Sequence, residues 1–168
     1  MKKFLLALSV ALLTLSCASA PEETTVTTFY LIRHAEKDRS EGVGNDPQLT
    51  EEGLQRAQRW AEVLGLEPLD AVYSTDYLRT RQTAAPAAKA NELEIALYDP
   101  NAFDARAWIT KHKGQRVLIV GHSNTTPMLV NTFLAEERFT EINDAVNGNL
   151  YVVTVMGETV GVELLLIE

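Results

Sequence analysis

RVLIVG (116–121) is the stretch on which the architecture turns. Four consecutive apolar residues, Val117 to Val120, sit between Arg116 and Gly121. A strand with one wet face alternates apolar and polar residues, whereas a strand without alternation is covered on both faces. Such sheets are built from repeated β–α units, because the crossover helices that link parallel strands also supply the covers. The run then breaks into GHSNTTP (121–127). Gly-His-Ser-Asn-Thr falls one residue short of the G-x-S-x-G elbow of serine hydrolases, with Thr125 where the last Gly belongs. Ser123 and His122 are therefore rival candidates for chemistry at this strand end.

Working outward, strand-like and helical segments alternate. VTTFYLIRH (26–34) is β-branched and aromatic and predicts a strand. Residues 35–49 hold Gly42, Gly44 and Pro47 and read as a loop. Thr50 is a good N-cap, and Glu51 and Glu52 suit the positive end of a helix whose Leu54, Ala57, Ala61 and Leu64 line one face up to Gly65. DAVYS (70–74) predicts a strand, Tyr77 to Asn91 a helix kinked at Pro86, LEIALY (93–98) a strand and Ala102 to His112 a helix. Residues 125–134 predict a further helix. NLYVVTV (149–155) and VGVELLLIE (160–168) predict a closing hairpin around Gly157. The sum is a three-layer α/β/α domain over 26–168, mainly parallel, with an antiparallel C-terminal element.

The first twenty residues, MKKFLLALSVALLTLSCASA, have a basic start, an uncharged apolar run and then small residues, the pattern of a secretory signal. Ala18-Ser19-Ala20 offers an ordinary cleavage site, but Pro21 follows it. Thr14-Leu15-Ser16-Cys17 resembles a bacterial lipobox, with Thr14 in place of the expected Leu. The favoured expectation is cleavage before Cys17, membrane attachment through its lipidated thiol and a periplasmic or envelope location. Residues 21–25 are a polar tether. A single Cys permits no internal disulfide. The net charge of −8 excludes non-specific attraction of nucleic acid. A site for an anion must then be a local cluster of cations.

In open α/β sheets, ligands bind beyond the carboxyl ends of the strands. Strand 26–34 ends in Arg33-His34, strand 70–74 runs on to Arg79, and strand 116–121 ends before His122. Two guanidinium forks suit a tetrahedral oxyanion, and a neutral imidazole beside them can attack phosphorus. The arginines offset the charge that repels a nucleophile, and the arrangement calls for no metal and no cofactor. A metal site from His34, Glu36 and His122 would be opposed by those same arginines. His112, at a helix end, reads as a partner of the helix dipole.

These residues carry a family resemblance. FYLIRHAEK (29–37) resembles the Arg-His signature of the histidine phosphatase superfamily, the phosphoglycerate-mutase-like enzymes. DPQLTEEGLQRA (46–57) is similar to the family's L-T-x-x-G stretch. VYSTDYLRTRQTA (72–84) is similar to its S-S-P-L-x-R-A-x-Q-T segment, with Asp76 replacing Pro, and VLIVGHSNT (117–125) resembles its final G-H block. The resemblance spans about residues 26–130, in the family's order. It implies a phosphoglycerate-mutase-like fold and a phosphomonoesterase working through phosphohistidine. His34 would be the nucleophile, Arg33 and Arg79 the phosphate-binding arginines, and His122 the second pocket histidine. It also implies a general acid some twenty to thirty residues after Arg79. Asp99, after a strand end, is preferred to Asp104, and Glu36 is a third candidate.

Other polar and aromatic residues have plainer expectations. Arg81 faces away from Arg79 on its helix and should form a salt bridge. Trp60 and Trp108 should pack, and Ser123 or Asn124 should cap the next helix or line the pocket. The expected partner is a small phosphorylated substrate, with no nucleic acid and no protein partner. Two alternatives stand beside the phosphatase: a phosphate-binding protein without turnover, and a serine hydrolase using Ser123, although no histidine follows Ser123 in the chain.

Overall fold

A computed structural model of the chain describes residues 25–168. The expected signal segment, Cys17 and most of the tether lie outside the described residues. The elements run β1 (Val26–Arg33), α1 (Glu51–Leu64), β2 (Ala71–Ser74), α2 (Leu78–Ala90), β3 (Ile95–Leu97), α3 (Ala105–Lys111), β4 (Arg116–Gly121), α4 (Thr125–Leu134), β5 (Asn149–Met156) and β6 (Thr159–Leu166). One six-stranded sheet has the order β3-β2-β4-β1-β5-β6. The first four strands in that order are parallel. β5 and β6 are antiparallel additions at the β1 edge, turned at Gly157, whose φ of 59° suits a residue without Cβ.

The RVLIVG run is buried on both faces, and side-chain alternation sorts the core into two halves. Phe29, Leu31, Tyr73, Val117 and Ile119 pack with Leu129, Val130 and Phe133 of α4, and Trp108 of α3 joins them. Ile32, Val72, Leu118 and Val120 point the other way, against Trp60, Ala61 and Leu64 of α1 and Ala84, Ala87 and Ala88 of α2. The result is the expected three-layer α/β/α fold, mainly parallel with an antiparallel C-terminal hairpin.

Local expectations hold at some ends and fail at others. Thr50 caps α1, its side chain accepting from Gly53 N–H. Leu54, expected on the buried face, is 44% exposed, and Trp60 takes the central buried position at 1%. α2 runs unbroken through Pro86. The helix expected from Ala102 instead begins at Ala105, because Asp104 caps it by accepting from Arg106 N–H and Ala107 N–H; residues Pro100–Ala102 form a separate 3₁₀ turn. β3 is trimmed to three residues.

Residues 135–148 hold no helix or strand yet are well anchored. The buried Asn131 accepts from Arg138 N–H and Phe139 N–H and donates to Phe139 O, and Ile142 N–H donates to Ser123 O at 2.9 Å. This segment reaches the end of β1.

Candidate active site

β2, β4 and β1 are neighbours in the sheet, so their carboxyl ends lie side by side. His34 N–H donates to Gly121 O at 2.9 Å and Thr75 N–H to Val120 O at 3.3 Å, which prolongs the pairing past the strand ends. The His34 and His122 rings meet edge-on, 5.5 Å between centroids. His122 also meets the Tyr77 ring at 5.0 Å, and the Arg79 guanidinium lies 4.4 Å over the same tyrosine. The structure thus brings together all four residues expected to form the pocket. A side chain at Gly121 would place Cβ 2.9 Å from Thr126 Oγ1 and 3.0 Å from the Tyr98 hydroxyl, so the turn into the site requires Gly.

His34 is 3% exposed. Its Nδ1 lies 2.7 Å from Ala35 O. A carbonyl only accepts, so Nδ1 carries the proton and Nε2 holds the lone pair. Burial, with the Arg33, His122 and Arg79 charges behind it, lowers the His34 pKa to about 3. Burial likewise lowers His122 to about 4, helped by Arg79, Lys37 and Arg33. Both imidazoles are neutral at pH 7.

The two arginines are buried and partly committed. Arg33 donates through Nη1 to Asn143 O, Asp144 O and Val146 O at 3.1–3.2 Å, and through Nη2 to the Asp144 carboxylate. Arg79 pairs with Asp46 at 3.4 Å. Three buried nitrogens at the site have no partner among the described residues: Arg33 Nε, Arg79 Nε and His122 Nε2. Unmade hydrogen bonds of this kind are costly in a folded protein and mark where an acceptor belongs.

Beside them opens a cavity of about 480 Å³, lined by Tyr77, Arg79, Tyr98, Asp99, Asn101 and His122 among others. Asp99 is the only one of the three acid candidates on its wall. It caps the 3₁₀ turn, with Oδ1 accepting from Asn101 N–H and Nδ2–H. Asp104 is spent as the α3 cap and does not line the cavity. Glu36 Oε1 accepts from Arg56 Nε at 2.7 Å, away from the cavity wall.

Several plainer expectations resolve here. Arg81 forms its salt bridge, with Asp76. Trp60 and Trp108 pack in opposite halves of the core. Asn124 stands at the N-cap position of α4 without a side-chain cap bond and lines the cavity, as expected of one of the two, while Ser123 does neither. Ser123 Oγ donates instead to Glu141 at 2.9 Å, and Thr125 Oγ1 takes the His122 N–H. His112 is no dipole partner: it is 3% exposed among Phe29, Tyr73 and Trp108, and burial lowers its pKa. Nothing in the sequence signals that Asp46 and Asp144 pair with the two arginines, since both are charged residues in irregular segments without a periodic signal.

Residues 29–100 match the histidine phosphatase superfamily (branch 1). Phosphoserine phosphatase 1 of Hydrogenobacter thermophilus is 39% identical over 74 residues, which is 41% of this chain and 35% of that protein. The match thus spans about a third of the curated relative. The fold resembles mycobacterial glucosyl-3-phosphoglycerate phosphatase in complex with VO3 (TM-score 0.65, 16% identity, 84% of this chain and 99% of that one). It also resembles a variant phosphoserine phosphatase of Entamoeba histolytica in complex with phosphoserine (TM-score 0.64, 14% identity, 81% and 94%). The chain is thus similar to the histidine phosphatase superfamily over residues 29–100, which hold the Arg-His signature, and the likeness of fold runs on through the His122 end.

Proposed function

We propose that the protein is an exported, metal-independent phosphomonoesterase that works through a phosphohistidine on His34. The observation that carries this reading is the convergence of a neutral, oriented imidazole with three buried nitrogens that have no partner among the described residues: Arg33 Nε, Arg79 Nε and His122 Nε2. Phosphoryl oxygens would accept from both arginines, and from His122 in its Nε2–H tautomer. His34 Nε2 then attacks phosphorus, and the bond from phosphorus to the ester oxygen breaks. Asp99, on the cavity wall, gives its proton to the departing oxygen. In the second half a water oxygen attacks phosphorus, Asp99 takes the water's proton, the bond from phosphorus to His34 Nε2 breaks, and inorganic phosphate leaves. The transferred group is held by cationic side chains throughout, so the charge built up in the transition state needs no metal ion to offset it. Export rests on the N-terminal sequence pattern and favours substrates outside the cytoplasm.

The decisive experiment assays a panel of phosphomonoesters with a chelator present, on the wild type and on His34→Ala. Full activity in chelator, its loss in His34→Ala and an acid-labile phosphoenzyme in the wild type are expected. Activity that survives the substitution, or that disappears with chelator alone, rejects the proposal.

A further inference from the structure

The phosphoryl group accounts for one side of the cavity, and the leaving group must lie against the rest. That wall is made chiefly by Asp76, Tyr77, Tyr98, Asp99, Asn101 and Asn124. With Arg79 and His122 committed to phosphoryl oxygens, no cationic side chain remains on it among the described residues. Its formal charges are two carboxylates, Asp76 and Asp99. Arg81 does not line the cavity; Asp76 holds it in a salt bridge at the rim, with the two side chains 38% and 69% exposed.

The polar atoms of the wall are mostly acceptors. Tyr98 spends its hydroxyl proton on Val120 O at 3.4 Å, which leaves the phenolic oxygen to accept. Asn101 spends an Nδ2–H on Asp99 Oδ1 at 3.1 Å, so its own Oδ1 is open to a donor. Asp76 only accepts. Hydroxyl groups answer such a surface. A carboxylate would bring further acceptors and meet like charge. An ammonium would match the charge, but beside Asp99 it would hold that carboxyl ionised and remove the proton that the acid step needs.

We propose that this wall selects phosphomonoesters of uncharged, hydroxyl-bearing alcohols, the polyol and sugar phosphates, over esters whose leaving group carries a carboxylate, with Asp76 as a specificity-determining residue. The inference rests on the phosphatase reading above and deepens it. Because Asp76 stands in solvent, its field is screened and the selection it imposes is moderate.

The test uses matched esters. Glycerol 3-phosphate and 3-phosphoglycerate differ only in that a hydroxymethyl group replaces a carboxylate, and phosphoethanolamine supplies an ammonium. The reading is kcat/KM for the wild type, Asp76→Asn and Arg81→Met. The wild type should favour glycerol 3-phosphate over 3-phosphoglycerate by roughly fivefold to tenfold, the scale of one or two screened charges near contact, and the preference should shrink in about 1 M salt. Asp76→Asn removes a negative charge and frees Arg81, so it should narrow the ratio. Arg81→Met leaves the Asp76 charge unpaired and should widen it. Both variants break the same salt bridge, so a merely structural role would move the ratio the same way in both and overturn the proposal. Equal rates on the two glycerol-based esters in the wild type would also overturn it. So would a preference for 3-phosphoglycerate, which would assign a carboxylate to the N-terminus of α4 at Thr125, or a preference for phosphoethanolamine, which would make the wall an ammonium site. Calorimetric binding of the same three esters to His34→Ala keeps the two readings apart. Turnover that survives there rejects the phosphohistidine mechanism, while the order of binding still decides the leaving-group preference.

Discussion

A histidine buried beside two guanidiniums gains nothing from holding a second proton, and the Ala35 carbonyl decides which nitrogen keeps the first. On the proposed mechanism the nucleophile is therefore ready at neutral pH without a separate base. The leaving group is the harder half of the reaction, and there Asp99 is tested by the ester it must expel. An alkoxide is a poor leaving group and needs a proton; p-nitrophenolate departs without one. Asp99→Asn should lower kcat on alkyl phosphates by about 10²–10⁴-fold, the usual worth of general acid catalysis, and leave p-nitrophenyl phosphate much less affected. Steady-state kinetics on the two ester classes checks this. Equal losses on both would remove Asp99 from the acid role and leave it as the cap of its 3₁₀ turn.

At the scale of elements, what was legible in the sequence is what repeats or terminates. RVLIVG announced a doubly covered strand, Thr50 announced the start of α1, and three strand ends announced the pocket. Asp104 was read as a candidate acid when its backbone contacts make it a cap. Residues 135–148 could not be read, because their hold on Arg33 runs through the carbonyls of Asn143, Asp144 and Val146, and backbone acceptors leave no trace in residue types. Gly53 shows a motif residue whose reason only packing supplies. A Cβ there would lie 2.2 Å from Glu36 O, the carbonyl that also accepts from Thr50 N–H. Backbone cannot swing aside as a long side chain can, so α1 or the chain after His34 must move. Gly53→Ala should destabilise the fold by about 1–3 kcal/mol, and by shifting the His34–Lys37 segment it should lower kcat/KM as well. Urea unfolding with parallel kinetics reads both; a variant as stable and active as the wild type would mean the approach is slack.

The whole molecule concentrates cations at one end of its sheet within a chain of net charge −8, and it buries its histidines. All three have lowered pKa values in the fold: His34 to about 3, His122 to about 4, and His112 lowered by burial among aromatic rings. The unfolded chain binds protons at these positions near pH 6.5 and the folded protein does not, so the stabilisation is fully present above that pH and is lost as the pH falls toward the folded values. Asp144, held at about 2 first by its hydrogen bonds to Arg39 and Arg33, acts in the same direction at lower pH. The window between pH 5 and 6.5 separates the two contributions, because Asp144 stays ionised there in both states. Stability should fall across that window by at most about 1.4 kcal/mol per pH unit for each histidine. Chemical denaturation at stepped pH, with His34→Asn and His112→Phe as comparisons, measures the slope. Each substitution should flatten it by roughly its own share, and a wild-type stability that stays level from pH 6.5 to 5 would show that the imidazoles gain protons freely in the fold. Phosphate should oppose the loss, since a ligand bound by the folded site alone stabilises it by about RT ln(1 + [L]/Kd). The pH at which phosphate ceases to protect then marks where His34, His122 or the phosphate dianion takes up a proton.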